Sequence, residues 1–174
     1  MIKDYNIIHY LNKFSKNFIL FLGLLFINNL EKSLSFFPIF KTATPSLISV
    51  VIYICIIKLY IKPSYFILFL VGLINDINSG GNLGNSSMFL LLIKFFTESL
   101  FFANVLKNNH KDWISFTIIF LSSFFIIFFI NILINLSIPD LSPIFYYVGT
   151  SLIIFPIINL SVDFIAFITK LLKS

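Results

Sequence analysis

The chain is 174 residues long, 59% hydrophobic and only 11% charged, with a mean hydropathy of +1.01; a soluble core of this size cannot absorb so much apolar surface. Its net charge of +5 comes from lysines dispersed along the chain rather than gathered in a patch, which excludes a nucleic-acid partner and points to lysines that set topology. The alternating polarity of a membrane barrel is missing, whereas apolar blocks of about 17 to 25 residues between short polar stretches are what lipid imposes on helices.

All basic residues are Lys, and Phe, Ile and Asn abound, a composition expected of A·T-rich codons, so the 24 Phe carry little functional information. The single cysteine, Cys55, lies inside an apolar run and reads as a buried free thiol, with no disulfide framework and no thiol metal site.

In chain order, the first apolar run follows Lys13 and Lys16, lacks a small-x-small cleavage site, and gives a first span over 12–30, with Asn28, Asn29, Glu31 and Lys32 marking its exit. A loop with Pro38 and Pro45 leads to a second span over 45–60, which Lys58, Lys62 and Pro63 end. The third span covers 64–77. Both are short, so bilayer thinning, snorkelling lysines or helix extension must make up the length. The stretch from Asn78 to Asn85, rich in Gly and Asn, is the clearest turn in the chain. A fourth span, 86–106, starts near Ser86, and the polar connector from Lys107 to Asp112 precedes Trp113, an interfacial anchor. The fifth span runs over 113–136 and the sixth over 145–172, with Pro139 and Pro143 between them.

The expected fold is therefore all-α, a six-transmembrane-helix bundle forming one integral membrane domain over 1–174. Six spans starting inside place Lys3, Lys13, Lys16, Lys58, Lys62, Lys107, Lys111, Lys170 and Lys173 on the cytoplasmic side, and only Lys32 and Lys41 outside. That asymmetry puts both termini in the cytoplasm.

Few residues can carry chemistry. Lys94 and Glu98 are four apart in the fourth span, so they share a face and can pair, either as a self-neutralising structural pair or as a proton or substrate site; the lack of any aligned acid or histidine ladder favours the former. Asn159 with Asp163 on the sixth span, and Asn131 with Asn135 on the fifth, make polar faces suited to hydrogen bonds between helices. His9 and His110 have no partner at metal-ligand spacing. No nucleophile–base order, phosphate loop or paired acids in a water-facing loop is visible, so neither a catalytic activity nor a cofactor or metal is expected.

The stretch from Gly72 to Gly84 is the most informative. Gly72 and Asp76 lie on one face near the end of the third helix, where the glycine permits close approach and a carboxylate at a helix C-terminus calls for a donor. The glycine loop brings the amide-rich start of the fourth helix, near Ser86 and Ser87, within reach, so Asp76 is expected to staple the third helix to the fourth.

The run Gly72-Leu73, Asp76, Gly80, Leu83-Gly84, with Pro63 upstream, resembles the signature of the rod shape-determining membrane protein MreD family, G-L-x-x-D-x-x-x-G-x-x-L-G. It departs from that pattern at Asn82, where members commonly have proline, and it lacks the Trp often found near the end of the second span. The resemblance implies a non-catalytic inner-membrane component of the bacterial cell-elongation machinery. Its implied partners are membrane lipid, MreC, MreB filaments and the RodA and penicillin-binding peptidoglycan synthases. It also implies a six-helix fold similar to the substrate-binding subunits of energy-coupling-factor vitamin transporters, and such a subunit is the alternative reading. Against that alternative, the first span has one small residue, Gly23, and no stripe of them for a coupling subunit to dock on.

Overall fold

The computed structural model describes residues 2–40, 44–80, 82–102, 112–136 and 141–171. Among these the chain forms α1 (Ile2–Leu34), a short 3-10 turn (Pro38–Phe40), α2 (Leu47–Ile57), α3 (Tyr65–Ser79), α4 (Asn85–Phe102), α5 (Asp112–Asn135) and α6 (Leu141–Leu171), with no strand. The helices fall where the apolar runs predict them, but α1 begins about ten residues earlier than the expected span and α6 four residues earlier. The predicted end of the fourth span, 103–106, lies outside the described residues, as do Gly81, Lys41, Lys107, His110, Lys111 and Lys173.

Two helices are long and apolar enough to cross a membrane: α5, and α6 over Leu141–Ile165. At 1.5 Å per residue the 11 residues of α2 extend about 16 Å and the 15 of α3 about 22 Å, against a hydrocarbon core of about 30 Å. Of the six expected spans, two thus have the length and composition to cross a membrane among the described residues.

The shortness of α2 has a packing cause. Its sequence, LISVVIYICII, is apolar all round, and Ile48, Val50, Ile52, Tyr53, Ile54 and Ile56 are all buried. A helix with no polar face belongs in the centre of a bundle, and α2 packs against α1, α4, α5 and α6. Cys55 on it is free and half-buried rather than fully buried. Tyr53 meets Phe116 of α5 and Phe155 of α6 edge-on, with centroids 5.4 and 5.5 Å away, and those two phenylalanines stack at 4.4 Å. Part of the phenylalanine content is thus the aromatic centre of the core.

Both ends of α2 are tied to neighbours. At its start, Glu31 of α1 accepts a hydrogen bond from the Ile48 N–H at 3.2 Å, and the Ser46 N–H donates to Ser151 Oγ of α6 at 2.9 Å. At its end, Lys58 forms an ion pair with Asp163 of α6 at 2.5 Å. The helix α6 continues through Pro156, which cannot donate to the carbonyl of Leu152 four residues back. The indole N–H of Trp113 on α5 donates to that freed carbonyl at 3.2 Å.

Candidate functional site

The junction of α3 and α4 is the most developed polar arrangement in the molecule. Ser64 caps α3, its Oγ accepting from the Ile67 N–H at 3.2 Å, and Gly80 ends it in the left-handed region at φ +66°. Gly84, at φ +97°, then turns the chain into α4. These two glycines occupy backbone that other residues adopt only under strain.

Asp76 is 2% exposed, and its two carboxylate oxygens are shared between two backbone donors. Oδ2 accepts from the Gly84 N–H at 2.7 Å and Oδ1 from the Ser86 N–H at 2.9 Å. A buried carboxylate at the end of one helix is thereby matched to the unpaired amides at the start of the next, where the helix dipole favours negative charge. Next to it, Asn75 Nδ2 donates to Ser86 Oγ at 3.0 Å and Ser87 Oγ donates to the Phe69 carbonyl at 3.0 Å. The two helices approach so closely at Gly72 that a Cβ there would lie 2.5 Å from the Ser87 amide nitrogen and 2.7 Å from its Oγ. Leu73 is half-buried beside this contact, whereas Leu83 is 71% exposed at the tip of the turn.

The expected pair on α4 forms part of a triad. Lys94 is 4% exposed, and its Nζ lies 3.9 Å from Glu98 Oε1, the outer limit of an ion pair. The ammonium also sits 3.5 Å from the centroid of the Tyr65 ring, and the Tyr65 hydroxyl donates to Glu98 Oε2 at 3.1 Å. The π-face and the carboxylate together balance a largely desolvated cation.

The polar faces expected on α5 and α6 separate in the structure. Asp163 faces Lys58 of α2, while Asn159 Oδ1 is buried without a hydrogen-bond partner among the described residues, so Asn159 makes no bond through that oxygen to a neighbouring helix. Asn131 accepts from Asn85 Nδ2 of α4 at 3.1 Å, and Asn135 lines an adjacent cleft.

Sequence reasoning missed Glu31, taking it as a solvated marker of the first exit. It stands on the α1 face of Leu24 and Asn28, at spacings of seven and three, and both of these are buried. That periodicity was the available signal. Burial pushes its carboxyl up from 4.5 to about 7, outweighing the Ile48 and Leu47 amides and Lys32, which act in the other direction. Lys32 is held below its usual value by burial, with Glu31 and Asp76 opposing. Asn28 is 1% exposed, and neither its Oδ1 nor its Nδ2 has a partner among the described residues.

No group of three or more His, Cys, Asp or Glu stands together as a metal site among the described residues. In a scan against protein-family models and in searches of curated proteins and of solved structures, nothing matches the chain.

Proposed function

We propose that this chain is a non-catalytic scaffold of the bacterial inner membrane, of the MreD kind, which crosses the bilayer six times with both termini in the cytoplasm, sits beside MreC and helps couple MreB filaments to the cell-elongation synthases. The observation that carries the reading is that four residues of the resembled signature, Gly72, Asp76, Gly80 and Gly84, act as one unit. Gly72 sets the approach of α3 to α4, Asp76 ties α4 to α3, and Gly80 and Gly84 make the turn that allows it. Short connections and large exposed apolar faces on α1, α5 and α6 fit a protein that works through lateral helix contacts. In this reading α2 crosses as a central helix whose ends are sealed by protein groups rather than by headgroups, and α3, which leaves Tyr65, Phe66, Phe69 and Ile77 exposed, crosses at the edge of the bundle.

The test is depletion of the protein in its own bacterium, or in a complementable rod-shaped relative, with cell width and recovery of MreC as readouts. Rounded cells and a stable complex with MreC are expected. Unchanged shape with no MreC recovered sinks the reading. Vitamin uptake on the same strain would then test the alternative, a substrate-binding subunit of an energy-coupling-factor transporter, which the cleft beside Asn131 favours and the isolated Gly23 does not.

A further inference from the structure

Between the start of α4, the second half of α5 and the start of α6 lies a half-open cleft of about 330 Å³, at the small end of the range for ligand pockets. Its lining is graded along α5. One end carries Asn82, Asn85, Asn131 and Asn135, with Ile144 of α6 beside them, and the other is walled by Phe124, Phe128 and Ile127. From Phe124 to Asn135 is eleven residues, about 16 Å of helix, so the polarity changes over the length of a short lipid segment. Phe124 and Phe128 stack with centroids 6.2 Å apart, giving that wall a fixed aromatic face. The amide end is held in place by the α3–α4 junction: Asn85 directly follows Gly84, whose N–H Asp76 accepts, and bonds across to Asn131 at 3.1 Å.

None of the described lining residues is ionisable. Carboxamides offer both donors and acceptors without charge, which suits hydroxyl or amide groups and gives a phosphate no cation to balance its charge. A soluble polar molecule would leave the aromatic wall unused, and a bare hydrocarbon would strand four carboxamides against an apolar occupant.

We propose that this cleft binds one molecule of an uncharged amphiphile, a glycosyl- or hydroxyl-headed membrane lipid, with its headgroup on the asparagine amides and its chain along Phe124 and Phe128. The inference rests on the membrane reading above, since the gradient matches a lipid only if α5 stands across a bilayer. The headgroup end then lies at the same membrane face as the Asp76 junction.

The full chain, extracted with a styrene–maleic acid copolymer to avoid alkyl glycoside detergents, is transferred to phosphatidylglycerol nanodiscs doped with a photoreactive monoglucosyl diacylglycerol. Crosslinks are mapped by mass spectrometry. Labelling concentrated on the 124–135 stretch is expected, competed by unlabelled glucolipid and not by added phosphatidylglycerol. Ile127→Trp, which fills the cleft, and Asn135→Leu, which removes one rim amide, are each expected to lower the labelling about tenfold or more, equivalent to about 1.4 kcal/mol. Both are compared with wild type by thermal midpoint, so that a folding defect is seen separately. Crosslinks spread evenly over the lipid-facing sides of α1, α5 and α6, or labelling unchanged in a folded Ile127→Trp protein, would overturn the site. Full competition by free glucose would overturn the amphiphile in favour of a soluble sugar. A chain that fails to enter nanodiscs at all would bring down the membrane reading itself, a result distinguishable from an inserted protein with an unlabelled cleft.

Discussion

A methyl group added at Gly72 meets the backbone of Ser87 as well as its side chain, and the backbone cannot swing away. Gly72→Ala should therefore force α3 and α4 apart at a cost of about 1–3 kcal/mol, lowering the thermal midpoint by roughly 2–4 °C per kcal/mol in a chain of this size. Gly23→Ala and Gly149→Ala, where open space awaits the methyl, should leave it unchanged; equal shifts at all three would remove the close-approach role. Asp76→Ala strands two backbone donors, and hydrogen bonds to a charged group contribute about 1.5–3 kcal/mol each. We expect it to reduce the amount of folded protein in the membrane, read by fluorescence-detected size exclusion, while wild-type levels would discard the staple. Glu31 predicts a pH dependence. Between its unfolded value near 4.5 and its folded value of about 7 the folded state holds the extra proton, so this contribution to stability is present at low pH and is lost as pH rises through 7. The thermal midpoint of the wild type should fall over that window, and Glu31→Gln should flatten the slope. These residues were unequally legible in the sequence. Gly72, Asp76, Ser86 and Ser87 sit within sixteen residues of one another, so local spacing suffices to pair them. Glu31 meets an amide seventeen residues on, across a loop whose path no local pattern specifies.

At the scale of elements, the six helices were readable because apolar blocks and proline or glycine breaks are one-dimensional signals. Their relative placement was not. Nothing in the sequence LISVVIYICII says whether it faces lipid or the centre of a bundle, because both environments select the same side chains, and only the three-dimensional packing places it inside. The bond from Trp113 to the Leu152 carbonyl was hidden for the same reason: the proline that frees the carbonyl is local, but its indole partner is 39 positions away. This pairing makes a double-mutant prediction. Trp113→Phe should destabilise the wild type by about 0.5–1.5 kcal/mol, the net worth of a typical hydrogen bond. In a Pro156→Ala background, where the residue 156 N–H can satisfy Leu152, the same change should be nearly neutral. Equal effects in both backgrounds would show that the indole does not act through that carbonyl. The Lys58–Asp163 pair calls for more modest expectations, since Asp163 is 56% exposed and such pairs contribute about 0–1 kcal/mol.

For the whole molecule, the proposed topology places the turn after α3 outside and the turn after α2 inside. Leu83 and Tyr60, 71% and 74% exposed, report on those two turns. In a Cys55→Ser background, Leu83→Cys should react with a membrane-impermeant maleimide in intact cells, and Tyr60→Cys only after permeabilisation. The reverse pattern would invert the topology, and labelling of both in intact cells would rule out a crossing by α3. The lysine asymmetry behind this orientation was legible from sequence alone, and much of it falls on residues such as Lys107, Lys111 and Lys173 that lie outside the described structure.

The brevity and central burial of α2 bear on how such a chain is made. Eleven apolar residues are too few to be threaded into a bilayer as a stable helix before their neighbours arrive. Under the proposed topology, α2 would settle only after α1 is seated, with Glu31 already present to accept from the Ile48 amide, and would be held fully once α4, the helix it packs on most, has arrived. The caps that seal α2 in the finished bundle would then also set the order of its biogenesis, and α6, which supplies Ser151 and Asp163, would close the assembly last.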